Sequence, residues 1–156
     1  MPNRCMVLMS RFRGAVTESG LQYHAGLKAL GGDSNHIEPA DTRAVTGSAH
    51  IDSDLKAAHP NTPRWDYAIG YGANKLTVHY VEVHEARTRK HAREVLNKLR
   101  WLKDWLDTAP LGTIRRRRFH WAATGKVDIP KTNHELKQLA EQGIKMPTRI
   151  VKIADP

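Results

Sequence analysis

Residues 65–85, WDYAIGYGANKLTVHYVEVHE, decide the fold. Residues 65–71 alternate large and small side chains, and residues 76–86 are rich in Val, Thr and Tyr. Both compositions are typical of β-strands, and residues 72–75 between them have the composition of a turn. The stretch therefore predicts a β-hairpin.

The register of this hairpin places two acids together. A turn centred near Asn74 pairs residues whose numbers sum to about 148, so we expect Asp66 to lie nearly opposite Glu82 on one face. Like charges that face each other across two strands repel, and a bound cation relieves the repulsion. Carboxylate oxygens suit Mg²⁺ or Mn²⁺. If the register slips by one or two residues, the two acids are instead separate surface groups, paired with Arg64 or Lys126.

Two further groups follow from the same register. His84 shares the face of Glu82, where it could bind a metal, carry a proton or act as a cation beside the acids. The opposite face is expected to be core. It carries Trp65, Tyr67, Ile69, Tyr71, Val81 and Val83.

Helices and strands extend from the hairpin in both directions. Residues 88–106 predict an amphipathic helix, because Ala92, Val95, Leu96, Leu99, Leu102 and Leu106 form one apolar stripe. We also expect helices over 18–30, 48–58 and 132–142, and strands over 115–124 and 148–153. Residues 6–9 predict only a short strand or an arm. The fold class is α/β (α+β), with a mixed central sheet of about four to five strands flanked by helices. We expect a single domain over 1–156, with a core over about 48–124 and a C-terminal helix and strand over 132–153.

The positive charge is concentrated in one part of the chain. The formal net charge is +9, and residues 87–118 alone carry eleven Lys and Arg against three acids. Clustered positive charge is typical of a phosphate-binding surface. The single cysteine excludes an internal disulfide, and no apolar run is long enough to span a membrane. Because residues 1–13 do not resemble a secretory signal, we expect a cytoplasmic protein.

The order of acids and elements resembles that of the PD-(D/E)XK nuclease superfamily over about residues 48–124. Asp66 matches the first acid of the motif, and Glu82-Val83-His84 matches the (D/E)-x-K triplet, with histidine where the family has lysine. The resemblance implies a restriction-endonuclease-like fold, with Mg²⁺ or Mn²⁺ held by Asp66 and Glu82. It also implies a catalytic role for His84, with Lys126 or Lys90 supplying the missing ammonium group.

The resemblance further implies that basic side chains follow the backbone of a nucleic acid, with DNA favoured over RNA. A homodimer or a larger protein complex is consistent with it. Two alternatives remain open: a catalytically degenerate nucleic-acid-binding or assembly subunit, and a basic protein-interaction module such as an inhibitor or immunity protein. The candidate backbone-binding residues are Arg89, Lys90, Arg93, Arg100, Arg115, Arg116, Arg117 and Arg118.

Overall fold

The computed structural model describes residues 3–155. The α-helices of this part of the chain are α1 (Arg4–Glu18), α2 (Ile51–Leu55), α3 (Arg89–Thr108) and α4 (His134–Glu141). Its strands are β1 (Ile37–Pro39), β2 (Val45–His50), β3 (Tyr67–Tyr71), β4 (Thr77–Glu85), β5 (Arg117–Thr124) and β6 (Val151–Ile153). Short 3₁₀ helices lie at Lys28–His36, Thr42–Ala44 and Pro110–Thr113.

Four strands form the main sheet in the order β2-β3-β4-β5. The pairs β2-β3 and β3-β4 are antiparallel, and β5 runs parallel to β4. Helix α3 makes the crossover that a parallel connection requires. Strands β1 and β6 form a separate parallel pair. The predicted α+β fold, with a mixed sheet and flanking helices, is confirmed.

The hairpin register is the predicted one. Tyr67 pairs with Val81 and Tyr71 pairs with Thr77, so the paired residue numbers sum to 148. The two strands begin and end within two residues of the predicted limits. Helix α3 also forms as predicted, and its first turn is capped by Thr88, whose hydroxyl accepts the His91 N–H.

Both faces of the main sheet are buried, whereas the sequence assigned core packing to only one of them. The odd-numbered face, with Ile69 and Val81, packs against Ile153 of β6. The face that carries Glu82 is covered by α1 and α3, and Val78 and Tyr80 are fully buried there.

The N-terminal predictions were wrong. Residues 4–18 form helix α1, whereas residues 19–27 are not helical and the residues from 28 form 3₁₀ turns. Leu8, Phe12, Ala15 and Val16 recur at helical spacing and are buried. Thr17, directly before the predicted helix, lies within α1 instead, and its hydroxyl donates to the Arg13 carbonyl.

Strand β2 occupies most of the first half of the region predicted as a helix over 48–58. Only Ile51–Leu55 is helical there, because residues 45–50 pair with β3. At the C-terminal end, α4 begins after Asn133, which caps it, and β6 is shorter than predicted. Within residues 3–155, no helix combines the length and the apolar character that crossing a membrane requires.

Candidate functional site

Asp66 and Glu82 are held side by side by backbone groups of each other's strands. Asp66 directly precedes β3, and its N–H donates to Glu82 Oε1 at 3.1 Å. In return, the Val83 N–H of β4 donates to Asp66 Oδ2 at 3.0 Å. The two carboxylates thus continue the strand ladder beyond Tyr67, which fixes their positions relative to the sheet.

Glu82 receives its counter-charge from Lys98 of helix α3. Lys98 Nζ lies 2.5 Å from Glu82 Oε2, and the Glu82 side chain is completely buried. Burial raises the pKa of Glu82, the Asp66 charge raises it further, and Lys98 opposes both. Burial by itself would lower the pKa of Lys98, but the charge and hydrogen bond of Glu82 outweigh this effect and raise it. We therefore treat the two residues as a charged pair.

The Asp66 carboxyl group is part-buried in the same region. Burial raises its pKa, while Lys98 and the Val83 N–H lower it. A carboxylate whose charge is only partly compensated by the protein is a suitable ligand for a cation.

His50, Asp52 and Asp66 form a cluster that could hold a metal ion. One ligand atom from each residue lies within 4.8 Å of the others. Strand β2 ends at His50, α2 begins directly after it, and the Ile51 N–H donates to the Asp66 carbonyl at 2.7 Å. This backbone bond brings the end of β2 to the start of β3, so the three side chains converge.

Two contacts hold the outer ligands of this cluster. The His50 ring stacks on Tyr67 with centroids 4.6 Å apart. Arg64 Nε donates to Asp52 Oδ1 at 2.9 Å. An open groove of about 630 Å³ adjoins this ion pair. Its lining includes Arg64, Lys56 and Asn61, so cationic and amide groups are available beside the cluster.

Only one of the two predicted metal ligands therefore belongs to the candidate metal site. Asp66 belongs to the cluster, but Glu82 contacts Lys98 and the Asp66 N–H instead of joining the cluster. His50 and Asp52 complete the set of candidate ligands. Neither residue could be identified from the sequence, because their region was predicted to be a helix and their convergence with Asp66 depends on the pairing of β2 with β3.

His84 lies on the face of Glu82, as predicted, but its ring contacts other groups. Its Nδ1 lies 3.0 Å from the Glu85 carbonyl, and its Nε2 lies 2.9 Å from Glu94 Oε2 on α3. Lys126 is exposed in the segment after β5, and it makes no hydrogen bond or ion pair within the described chain. Lys90 is paired with Glu94 at 4.0 Å.

Lys98 is the lysine beside the two acids, and it was not predicted from the sequence. It lies one turn from Val95 and from Leu102, at the border of the buried stripe of α3. A lysine in that position brings its ammonium group towards the sheet, and this spacing is the signal that could have identified it.

The predicted basic residues of α3 lie on a different side of the helix from Lys98. At about 100° per residue, Arg89, Arg93 and Arg100 are displaced from Lys98 by roughly 140–180° around the axis. Arg93 pairs with Glu135 of α4 at 3.6 Å. Arg93 therefore contacts α4, and none of these three arginines lines the carboxylate site.

The run of arginines before and within β5 is also distant from the acids. Arg117 is level with Val78 of β4, whereas Trp121 is level with Glu82. Four residues of strand separate these levels, or about 13 Å. Arg115 and Arg116 precede the strand and are exposed, and Arg118 points to the opposite face of the sheet from Arg117. The arginines of α3 and β5 therefore do not surround the two acids.

Comparison with protein-family models, with curated proteins and with solved structures finds no match.

Proposed function

We propose that this protein is a metal-dependent nuclease that hydrolyses phosphodiester bonds in nucleic acid. The observation that carries the proposal is the convergence of Asp66, Glu82 and Lys98 beside the cluster of His50 and Asp52. Carboxylates, an ammonium group and a candidate metal site at the ends of adjacent strands supply the groups that phosphodiester hydrolysis uses.

The order of elements supports the same proposal. A helix, three antiparallel strands, a crossover helix and a parallel strand follow one another along the chain. This order agrees with the one that the resemblance to the PD-(D/E)XK superfamily implies. His84 stands at the lysine position of the motif, and we propose that Lys98 of α3 supplies the ammonium group in its place.

His50, Asp52 and Asp66 would hold the cation, for which we propose Mn²⁺ or Mg²⁺. One imidazole and two carboxylates suit Mn²⁺ well, and the carboxylates also suit Mg²⁺. Such an ion polarises a phosphate and lowers the pKa of bound water.

The chain's own groups have distinct roles. Lys98, held by Glu82, places a fixed positive charge beside Asp66, where it stabilises negative charge on a phosphate. Arg64 orients Asp52. Glu82 acts through Lys98 and the Asp66 backbone and is a positioning residue.

We propose that the preferred substrate is DNA. We also propose that the protein is cytoplasmic and that it acts as a homodimer or within a larger complex. The net charge of +9 favours polyanions. Exposed arginines such as Arg89 and Arg100 would contact phosphates without reading bases.

A cleavage assay tests the proposal. End-labelled single- and double-stranded DNA and RNA are incubated with the protein and Mn²⁺, Mg²⁺ or EDTA. We expect cleavage that requires the metal and falls at least about 100-fold in Asp66→Asn and Lys98→Met, since each removes one charge from the site. Lys137→Met, which removes an exposed lysine of α4, is the matched control and should retain activity. Cleavage that survives in both site variants contradicts the proposal.

A second candidate function is a nucleic-acid-binding or assembly subunit that does not cleave. The observation that favours it is that Glu82 is completely buried and already satisfied by Lys98 and the Asp66 N–H. It predicts salt-sensitive binding without metal-dependent cleavage of any substrate in the panel. A basic protein-interaction module, such as an inhibitor or immunity protein, predicts no nucleic-acid affinity at physiological salt.

A further inference from the structure

A cavity of about 700 Å³ lies between β5 and the C-terminal segment. Arg118, Lys145 and Lys152 line it, and none of its lining residues is acidic. Within residues 3–155, these three cations make no ion pair with a carboxylate. The cavity therefore has a positive potential that the protein itself leaves uncompensated.

Two stacked histidines form part of the same cavity. His79 Nδ1 lies 2.9 Å from His120 Nε2, and the rings are stacked with centroids 5.1 Å apart. His79 is 2% exposed, and its Nε2 atom is buried without a hydrogen-bond partner in the described chain. A buried polar nitrogen without a partner costs free energy unless a ligand or water satisfies it.

The pKa values of the two histidines are lowered mainly by burial and also by the nearby cations. Burial, together with the charges of Arg118 and Lys145, lowers the pKa of His120 to about 4. Burial and the neighbouring His120 and Arg118 lower the pKa of His79 to about 3. Both rings are therefore neutral at physiological pH and add no charge to the cavity.

The outer edge of β5 adds backbone groups. The Ala123 N–H donates to the Thr148 carbonyl, so odd-numbered residues of β5 direct their backbone groups to this edge. Phe119 lines the cavity and follows the same alternation, which places its N–H at the same edge. Met146 and Ile150 provide exposed apolar surface on the lining.

We propose that this cavity binds a phosphate monoester carried on a nucleoside, either a free nucleotide or the phosphorylated end of a strand. Arg118, Lys145 and Lys152 would hold the phosphate, and the apolar lining would contact the base and sugar. The volume is within the range of about 300–1,000 Å³ that is typical of small-molecule sites. This proposal does not depend on the metal site, because the side chains of His79 and Glu82 lie on opposite faces of β4.

Calorimetric titration in EDTA tests it with AMP, adenosine, inorganic phosphate and a 5′-phosphorylated tetranucleotide. We expect AMP to bind at least about tenfold more tightly than adenosine, a difference of about 1.4 kcal/mol. A tetranucleotide that binds more tightly than AMP identifies a strand end as the ligand, and the reverse order identifies a free nucleotide. Asp66→Asn should leave AMP binding unchanged, which separates this result from the proposed nuclease activity.

Charge-matched variants locate the site. The double variant Arg118→Gln Lys145→Gln should weaken AMP binding at least about tenfold. Arg115→Gln Arg116→Gln removes two charges from the same run outside the cavity and should change the affinity less than about twofold. Ile150→Glu, at an exposed position of the lining, provides a second disruption that leaves the basic residues intact. NMR resonances of the His79 and His120 rings should shift when AMP binds.

Three results would overturn the proposal. The first is that AMP does not bind saturably to the wild-type protein. The second is that the two double variants lose affinity for AMP equally. The third is that an acidic peptide without phosphate competes for the site as well as AMP does. Far-UV circular dichroism of each variant checks that it is folded.

Discussion

Glu82 depends on one side chain for its charge compensation. Its carboxylate is completely buried, and Lys98 Nζ contacts one of its oxygens while the Asp66 N–H contacts the other. Neutralising one member of a buried ion pair leaves the other charge without compensation, which is more costly than removing both charges. Removing Lys98 alone should therefore cost more stability than removing both charges of the pair.

Lys98→Met should lower the free energy of unfolding by about 3 kcal/mol, because it leaves Glu82 buried without a counter-charge. The double variant Lys98→Met Glu82→Gln should recover part of this loss. Urea denaturation of the wild type, both single variants and the double variant measures the coupling. Strictly additive effects would contradict a coupled pair.

The histidine pair predicts an acid-sensitive stability. His79 and His120 have pKa values lowered to about 3 and about 4 in the folded protein, mainly by burial, against an ordinary value of 6.5. The contribution of the two histidines to the free energy of unfolding is therefore fully present above pH 6.5. It is lost as the pH falls towards 4, because only the unfolded chain takes up protons on these rings in that range.

Each histidine contributes a slope of up to about 1.4 kcal/mol per pH unit in this window. The measurement is urea denaturation at a series of pH values. The control is the double variant His79→Gln His120→Gln, whose slope should be smaller. Equal slopes in the two proteins would show that the histidines are not responsible.

At the residue scale, the sequence predicted the acids better than the groups that complete the site. Asp66 and Glu82 follow from the hairpin register, which local turn chemistry determines. Lys98 contacts Glu82 because α3 crosses the sheet, and His50 joins Asp66 because β2 pairs with β3. Such contacts depend on tertiary packing, so a search for a replacement lysine near the motif selected Lys126 and Lys90 instead.

At the element scale, the central hairpin and α3 were predicted well because their signals are strong and local. Helix α1 was missed because its mean composition is polar and three of its arginines interrupt the apolar pattern. Strand β2 was interpreted as a helix because Ile51 and Leu55 suggested one apolar side, whereas residues 45–50 are held in the sheet by β3.

The close contact between α1 and the sheet depends on a glycine of β3. A Cβ atom at Gly70 would lie 2.7 Å from Cγ of Phe12, a core residue of α1, and would also meet the Thr46 hydroxyl. Gly70→Ala should therefore destabilise the protein by about 1–3 kcal/mol through overpacking. Gly14→Ala within α1 is the control, because its Cβ would meet nothing within 4 Å.

The control should raise stability by up to about 1 kcal/mol, since alanine favours the helix. Thermal unfolding of both variants measures the two effects. A neutral Gly70→Ala would contradict the close packing of α1 on β3.

At the scale of the whole molecule, the positive charge is distributed over separate surfaces. Arg93 of α3 pairs with Glu135 of α4, whereas Arg118 lines the cavity beside β5. Because these residues are close in sequence, we expected one basic surface. The arginines of α3 instead face away from Lys98, and β5 begins at the other end of the sheet from the acids. The net charge can be read from the sequence, but the surfaces on which the charged side chains lie could not be predicted from it.

The arginines of α3 should affect nucleic-acid binding more than catalysis. Arg89→Gln Arg100→Gln should weaken DNA binding and reduce the salt dependence of binding by about 0.9 per lost phosphate contact. Arg43→Gln Arg149→Gln removes the same charge from exposed positions elsewhere and is the control. Fluorescence anisotropy at several salt concentrations measures both. Equal effects of the two double variants would indicate a general influence of net charge.

The hydrogen bonds from the Asp66 N–H to Glu82 and from the Val83 N–H to Asp66 have a consequence for the evolution of this sequence. Each carboxylate accepts an N–H that the strand ladder would otherwise leave unpaired, so both acids are under selection for folding. A descendant that had lost the proposed activity would still retain them. The side chains of His50 and Asp52 accept no ladder N–H, so their loss from a lineage that keeps both acids would indicate the loss of the candidate metal site.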